Sequence, residues 1–239
     1  MFETDFHAHS LFSSCGLHSI IEMLTKARDS GIKAQAITDH GPYLGRKTSS
    51  TFFERLDNPV DGIILLKGIE CNVVDEDGTI DVIEKFMKWY DLVLLGFHNF
   101  KAKGAEPEYY SRLMAKAITK NPCVDIIVHP NVPGYRLDFG MIADIAAESG
   151  TAIEFNNAKT RLGRSSAEET IELIETCKAS GCYVAVNTDA HALNEVADHG
   201  AIEELLKDTG FPMDMVVNRT YESAMNWIES RKARRAEHY

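Results

Sequence analysis

TDFHAHS, residues 4–10, reads as a short strand running straight into two histidines spaced two apart. Alternate residues of a strand point to the same side, so His7 and His9 form a workable chelating pair. A strand leading into ionisable or polar residues recurs six more times. Apolar, often β-branched segments at 34–38, 63–70, 92–97, 125–128, 152–155 and 183–187 read as further strands. They lead into Thr38-Asp39-His40, Gly68-Ile69-Glu70, Gly96-Phe97-His98, His129-Pro130, Glu154-Phe155-Asn156-Asn157 and Thr188-Asp189-Ala190-His191.

Between the strands lie amphipathic stretches that read as helices: Ser19–Ser30, Ile80–Lys88, Glu108–Lys120, Phe139–Glu148 and Ala167–Ser180. Gly31, Gly150 and Gly181 stand where three of them should end in a left-handed cap. Strand–helix alternation with short links implies parallel strands joined by right-handed crossovers. Seven such units fit an α/β fold of TIM-like form, a distorted seven-stranded (β/α) barrel, better than an open sheet. Tyr43–Pro59 is the longest irregular stretch and is expected to loop over one end of the barrel. Ala201–Leu206 and Glu222–Arg235 read as closing helices. With no linker, repeat or low-complexity segment, residues 1–239 are expected to form a single domain.

The chain has a formal net charge of -11, which argues against a broad nucleic-acid surface because phosphate backbones need clustered Lys and Arg. Bound divalent cations locally reverse such a field, so a small phosphorylated substrate stays compatible with it. No apolar run reaches membrane-spanning length and no basic-then-apolar leader precedes the chemistry. The five cysteines, Cys15, Cys71, Cys123, Cys177 and Cys182, form no CxxC pair. An odd number without framework spacing reads as reduced thiols, which makes the cytoplasm the expected compartment.

In a parallel barrel all strand ends lie on one face, where catalytic groups of that architecture collect. Six of the nine histidines (His7, His9, His40, His98, His129 and His191) are therefore expected on one rim with Glu70 and Asp189. A single histidine at a strand end is more often a hydrogen-bonded loop residue, but a metal site explains the whole set at once. Imidazole and carboxylate together suit Zn, Mn or Fe, and this many ligands can hold more than one divalent ion.

The motifs DFHAHS (5–10), ITDHG (37–41), KGIECNV (67–73), GFHNF (96–100), VHPN (128–131), IEFNN (153–157) and NTDAH (187–191) resemble the PHP (polymerase and histidinol phosphatase) family, in particular its small stand-alone phosphoesterases. The resemblance spans nearly the whole chain in the family's order. It implies a distorted seven-stranded barrel carrying a trinuclear metal cluster. By that resemblance one metal takes His7, His9, Glu70 and Asp189, and Glu70 bridges to a second held by His98 and His129. A third takes His40, His191 and one ligand from the loop after His9. There the chain departs from its relatives, placing Cys15 where they carry a histidine. A thiolate can ligate zinc, and His18 is the competing candidate, with Cys15 slightly favoured.

Around these ligands, Asp5 and Asp39 read either as strand-end caps or as partners that orient imidazoles. Glu154 points to the same rim and reads as support for the segment after it. Arg164, in the loop after the sixth strand, matches a basic residue of the relatives and suits phosphate oxygens, Arg161 less so, and Arg46 and Lys47 least. His199 and His238 read as surface residues, and Cys71 as a core thiol facing away from the rim. The run Arg231-Lys232-Ala233-Arg234-Arg235 reads as a solvated helix end favoured by the helix dipole.

The expected activity is hydrolysis of a small phosphomonoester by a metal-activated hydroxide at a cluster of two or three ions, with Glu70, Asp189 and Arg164 as the catalytic set. The rivals are a nuclease or phosphodiesterase, an amide or lactone hydrolase, and a metal-binding module without turnover. No membrane partner is expected, and nucleic acid is disfavoured by charge.

Overall fold

The computed structural model describes residues 2–45 and 49–238. Strands β1 (Thr4–Asp5), β2 (Ala34–Ile37), β3 (Ile64–Asn72), β4 (Leu92–Gly96), β5 (Ile126–Ile127), β6 (Ala152–Asn156) and β7 (Val184–Asn187) pair in that order. Every pair is parallel. A parallel bridge from Ala8 to Ala190 brings the chain after β1 against the chain after β7, so the sheet nearly closes into a barrel. The expected architecture is the observed one. Arg46 and Lys47 lie outside the described residues.

Helices α1 (Ile20–Asp29), α2 (Ser50–Arg55), α3 (Pro107–Lys120), α4 (Phe139–Ser149), α5 (Asn157–Arg161), α6 (Ala167–Ser180), α7 (Gly200–Thr209) and α8 (Tyr221–Ala236) complete the chain. Ser19 and Ser166 open α1 and α6 with reciprocal capping boxes to Glu22 and Glu169. Gly150 and Gly181 close α4 and α6 in the left-handed conformation that a Cβ disfavours. Gly31 follows one residue beyond Ser30, the C-cap of α1.

The strands are buried on both faces, and their residues alternate between two cores. Val93 and Leu95 of β4 pack outward among Tyr110, Met114 and Ile142, whereas Leu92 and Leu94 pack with Phe6, Ala34, Ala152 and Ala185 in the barrel interior. Small side chains there leave room for Trp227 of α8, whose ring stacks on Phe6 at 5.9 Å. The inward face of β6 then changes character within two residues, from Ala152 to Glu154. The barrel is thus apolar toward the strand starts and ionisable toward the strand ends.

The C-terminal arginines differ from expectation. Arg231 and Arg235 are buried, each facing the fully buried Asp125 just before β5. Arg231 Nε donates to Asp125 Oδ1 at 3.0 Å and Arg235 Nη1 to Oδ2 at 2.7 Å. Their remaining donors satisfy carbonyls of Val124, Gly150, Tyr90 and Asp91, which precede the strands. Positions four apart share one helix face, so α8 turns this pair onto the strand-start end of the barrel and closes it. Sequence alone held no sign that a buried aspartate stood opposite.

Three further expectations are corrected. His199 is 5% exposed rather than on the surface, with its ring 4.8 Å from that of Phe2 and Nε2 4.0 Å from Asp5 Oδ2. The stretch 80–88 is not one helix. Ile80 bridges Val73 antiparallel, Asp81 accepts from the backbone of Asn72 and Tyr43, and a 3-10 turn follows at Glu84–Trp89. The 43–59 region contains α2 rather than being irregular throughout.

Removing one partner of a buried ion pair leaves the other charged and unsatisfied. Asp125→Ala, which strands two buried guanidinium groups, is expected to lower unfolding stability by about 3–5 kcal/mol. Denaturant unfolding measures this, and the folded fraction should keep its metal content because Asp125 lies at the opposite end from the rim.

Candidate metal centre

The chain leaves β1 in extended form, and Ala8 pins it between two neighbours. Thr38 N donates to Ala8 O, and His9 N donates to Ala190 O at 2.8 Å. The flanking His7 and His9 turn inward, with their Nε2 atoms 3.2 Å apart. His7 Nδ1 meets Glu154 Oε1 at 2.7 Å, and His9 Nδ1 meets Ser13 Oγ at 3.2 Å. Because the Ser13 hydroxyl donates to Asp39, it accepts from His9. Both rings therefore direct the Nδ1 proton outward and aim Nε2 inward, the orientation a ligating histidine needs.

Glu70, at the end of β3, is the hub. Its Oε1 lies 2.8 Å from His129 Nε2, 3.3 Å from His98 Nε2 and 3.4 Å from His7 Nε2. Its Oε2 lies 3.3 Å from His9 Nε2 and 2.7 Å from His40 Nδ1. That last pair is close but misaligned, so both atoms remain buried without a hydrogen bond. Asp189 Oδ1 stands 3.5, 3.3 and 3.6 Å from His7, His9 and His191. Asp189 and His129 both adopt positive φ, at 53° and 35°, a backbone strain typical of functional sites. Gly96 of β4 makes room: a Cβ there would stand 2.8 Å from His129 Cε1.

Three groups of side chains bring ligand atoms within 4.8 Å of one another: His9, Cys15, His40 and His191; His7, His9 and Asp189; and His40, Glu70 and His98. Facing imidazole nitrogens, carboxylates at just over 3 Å and two unsatisfied buried atoms fit one or more divalent cations. Cys15 joins the first group. His18 joins none among the described residues and is half-exposed, its carbonyl accepting from Leu11 N.

Burial pushes the Glu70 and Asp189 carboxyls up, but the surrounding histidines, and for Asp189 first of all Lys159, hold both well below the usual carboxylate range. Burial pushes the His40 ring down, and Glu70 and Cys15 outweigh it to bring His40 to about 10. His98, where burial wins, falls to about 4 and stays neutral. For Cys15 burial raises the thiol, yet hydrogen bonds to His191 and His40 and the charges of His9 and His191 bring it down to about 6.

Several groups act through the ligands. Glu154 is fully buried and receives four donors: His7 Nδ1, Asn187 Nδ2, Asn156 Nδ2 and the His129 amide. It fixes His7 and His129 together, more than local support. Asp5 accepts from the His7 amide and from Thr188, and Asp39 holds Ser10 and Ser13. Asn72, itself bonded to Asp81, takes His98 Nδ1 at 2.7 Å.

Lys159 escaped the sequence reading. Asn156 caps α5 and turns the chain so that Lys159 Nζ reaches Asp189 Oδ2. The signal was a capping asparagine directly after a strand, which places its third successor back over the strand end. Lys159 shares a cavity of about 290 Å³ with Cys15, Arg164, Asp189 and His191. Arg164 is exposed at its edge, whereas Arg161 is engaged by Glu195 and Asp198. Cys71 is a buried core thiol and His238 is exposed, as expected.

The family model described as PHP domain matches residues 5–189. A protein named probable phosphatase from Caldicellulosiruptor saccharolyticus is 31% identical over 229 residues, covering 95% of each chain. In structure, the chain is similar to histidinol phosphate phosphatase from Lactococcus lactis complexed with zinc, L-histidinol and phosphate, with a TM-score of 0.63 at 16% identity, covering 88% of this chain and 94% of that one. It is also similar to a chain in archaeal ribonuclease P with mature tRNA, with a TM-score of 0.62 at 15% identity, covering 96% and 91%. At those identities the two structures share the fold alone.

The metal-free protein should contain one fast-reacting cysteine. Lowering the Cys15 thiol to about 6 makes it mostly thiolate at pH 7, while the other four thiols are buried. Iodoacetamide labelling followed by mass spectrometry should modify Cys15 first, at a rate that falls as pH drops through about 6. Added zinc should protect it, whereas equal labelling with and without zinc would remove Cys15 from the metal site.

Proposed function

This chain belongs to the PHP domain family of metal-dependent phosphoric ester hydrolases, and we propose that it releases phosphate from small phosphomonoesters. When bound, divalent cations of the Zn, Mn or Fe class, two or three per chain, would supply Lewis acidity and a hydroxide nucleophile at neutral pH. The observation that carries this reading is the convergence of five imidazoles on the single carboxylate of Glu70.

The protein's own groups divide the work. His7, His9, Glu70 and Asp189 make one ligand set, and His98 and His129 a second that shares Glu70. His40, His191 and Cys15 make a third, in which Cys15 rather than His18 supplies the loop ligand. Glu154, Ser13 and Asn72 hold the outward ring protons of His7, His9 and His98, so those rings keep their lone pairs inward. Arg164, at the mouth of the cavity, is placed to grip non-bridging phosphate oxygens bidentately. Acting as one catalytic unit on a small soluble substrate, such a site needs no serine or cysteine nucleophile. Zinc and phosphate bound to a protein of the same fold support the reading.

A panel of p-nitrophenyl phosphate, bis(p-nitrophenyl) phosphate and p-nitrophenyl acetate tests it. Metal-loaded protein is expected to release phosphate from the monoester fastest, and His9→Ala to reduce release to background. Preference for the diester would favour a phosphodiesterase, and full activity of His9→Ala would sink the proposal. Glu154→Gln removes the acceptor charge behind His7 without emptying the site, so activity or metal affinity should fall roughly 10- to 100-fold. Arg164→Ala should raise KM about tenfold, equivalent to about 1.4 kcal/mol of lost binding, with little change in kcat.

A further inference from the structure

The two oxygens of Asp189 have different surroundings. Oδ1 faces the imidazoles of His7, His9 and His191. Oδ2 is held from behind by Lys159 Nζ and by Asn156 Nδ2, the latter at 3.1 Å. Lys159 is committed to this place. Its side chain is 14% exposed, and its position in the first turn of α5 is set by the Asn156 cap, whose side chain accepts from the Lys159 amide at 3.0 Å. A carboxylate gripped on one oxygen by an ammonium and an amide cannot swing to offer both oxygens to one ion.

Lys159 lines the same cavity as Cys15, Arg164 and His191.

We propose that Lys159 is a positioning residue, which restricts Asp189 to a single inward oxygen. This role rests on the reading of the rim as a metal centre. It distinguishes Lys159 from Arg164, which is exposed in the lining of the same cavity.

The experiment measures metal retained per chain after dialysis against a competing chelator, for wild type, Lys159→Met and Lys159→Arg. Circular dichroism identifies the folded fraction in each. Lys159→Met should hold metal roughly 10- to 100-fold more weakly or lose one equivalent, and Lys159→Arg should largely restore retention. In cobalt-loaded protein the ligand-field spectrum should shift in Lys159→Met, reporting a changed Asp189. Wild-type retention and spectrum in Lys159→Met, accompanied by weaker inhibition by inorganic phosphate, would overturn this role and make Lys159 a phosphate-binding group. A wild-type protein that retained no metal would overturn the metal-centre reading itself, and this role with it.

Discussion

A buried carboxylate ringed by imidazoles is the constraint on which this structure turns. Glu70 is 1% exposed, and ions taken out of water are strongly penalised unless compensated at close range. Compensation comes from five histidines delivered by four different segments, each at or just beyond a strand end. Such an arrangement is only possible if parallel strands end together on one face. The barrel is thus the device that gathers these groups, and the groups in turn dictate where glycine must stand, as at Gly96 beneath His129.

The opposite end of the barrel solves a related problem differently. Asp125 is equally buried, but its partners are the permanently charged guanidinium groups of Arg231 and Arg235, which are geometrically satisfied by backbone carbonyls as well. That end is self-sufficient and closes the core with Trp227. The rim end, by contrast, keeps unsatisfied atoms on Glu70 and His40 and positive φ at His129 and Asp189. One end is built for closure, the other for binding cations, and the polarity of the parallel strands separates them. Titrating imidazoles also tie the rim to pH. His7 and His40 are held above their ordinary range, although burial opposes it, so cations must displace protons from them and metal uptake weakens as pH falls.

The strands and the histidines at five of their ends were legible in the sequence because the apolar run is a local pattern repeated seven times. Periodicity reports which face a residue takes, and the end of an apolar run reports where a side chain meets the rim. What stayed hidden is non-local. Asp125 meets Arg231 across 106 positions, and no local pattern in α8 distinguishes a buried arginine from a solvated one. His199 likewise reads as an ordinary polar residue before a helix until Phe2 and Asp5 are brought beside it. The expected helix at 80–88 gave way because Asp81 is drawn into hydrogen bonds with Asn72 and Tyr43, partners that periodicity does not see. Lys159 lay within a stretch read for its arginines; its role follows from the turn that Asn156 initiates, a local cue, and from Asp189, thirty residues on.

Anomalous diffraction from crystals grown with zinc or manganese tests the central claim most directly, because it locates metal without reference to turnover. The account predicts at least two anomalous peaks about 3.5–4 Å apart on either side of the Glu70 carboxylate, one beside His7 and His9 and the other beside His98 and His129. A single peak remote from Glu70, or a Glu70 carboxylate touching no metal in crystals saturated with the ion, would contradict it.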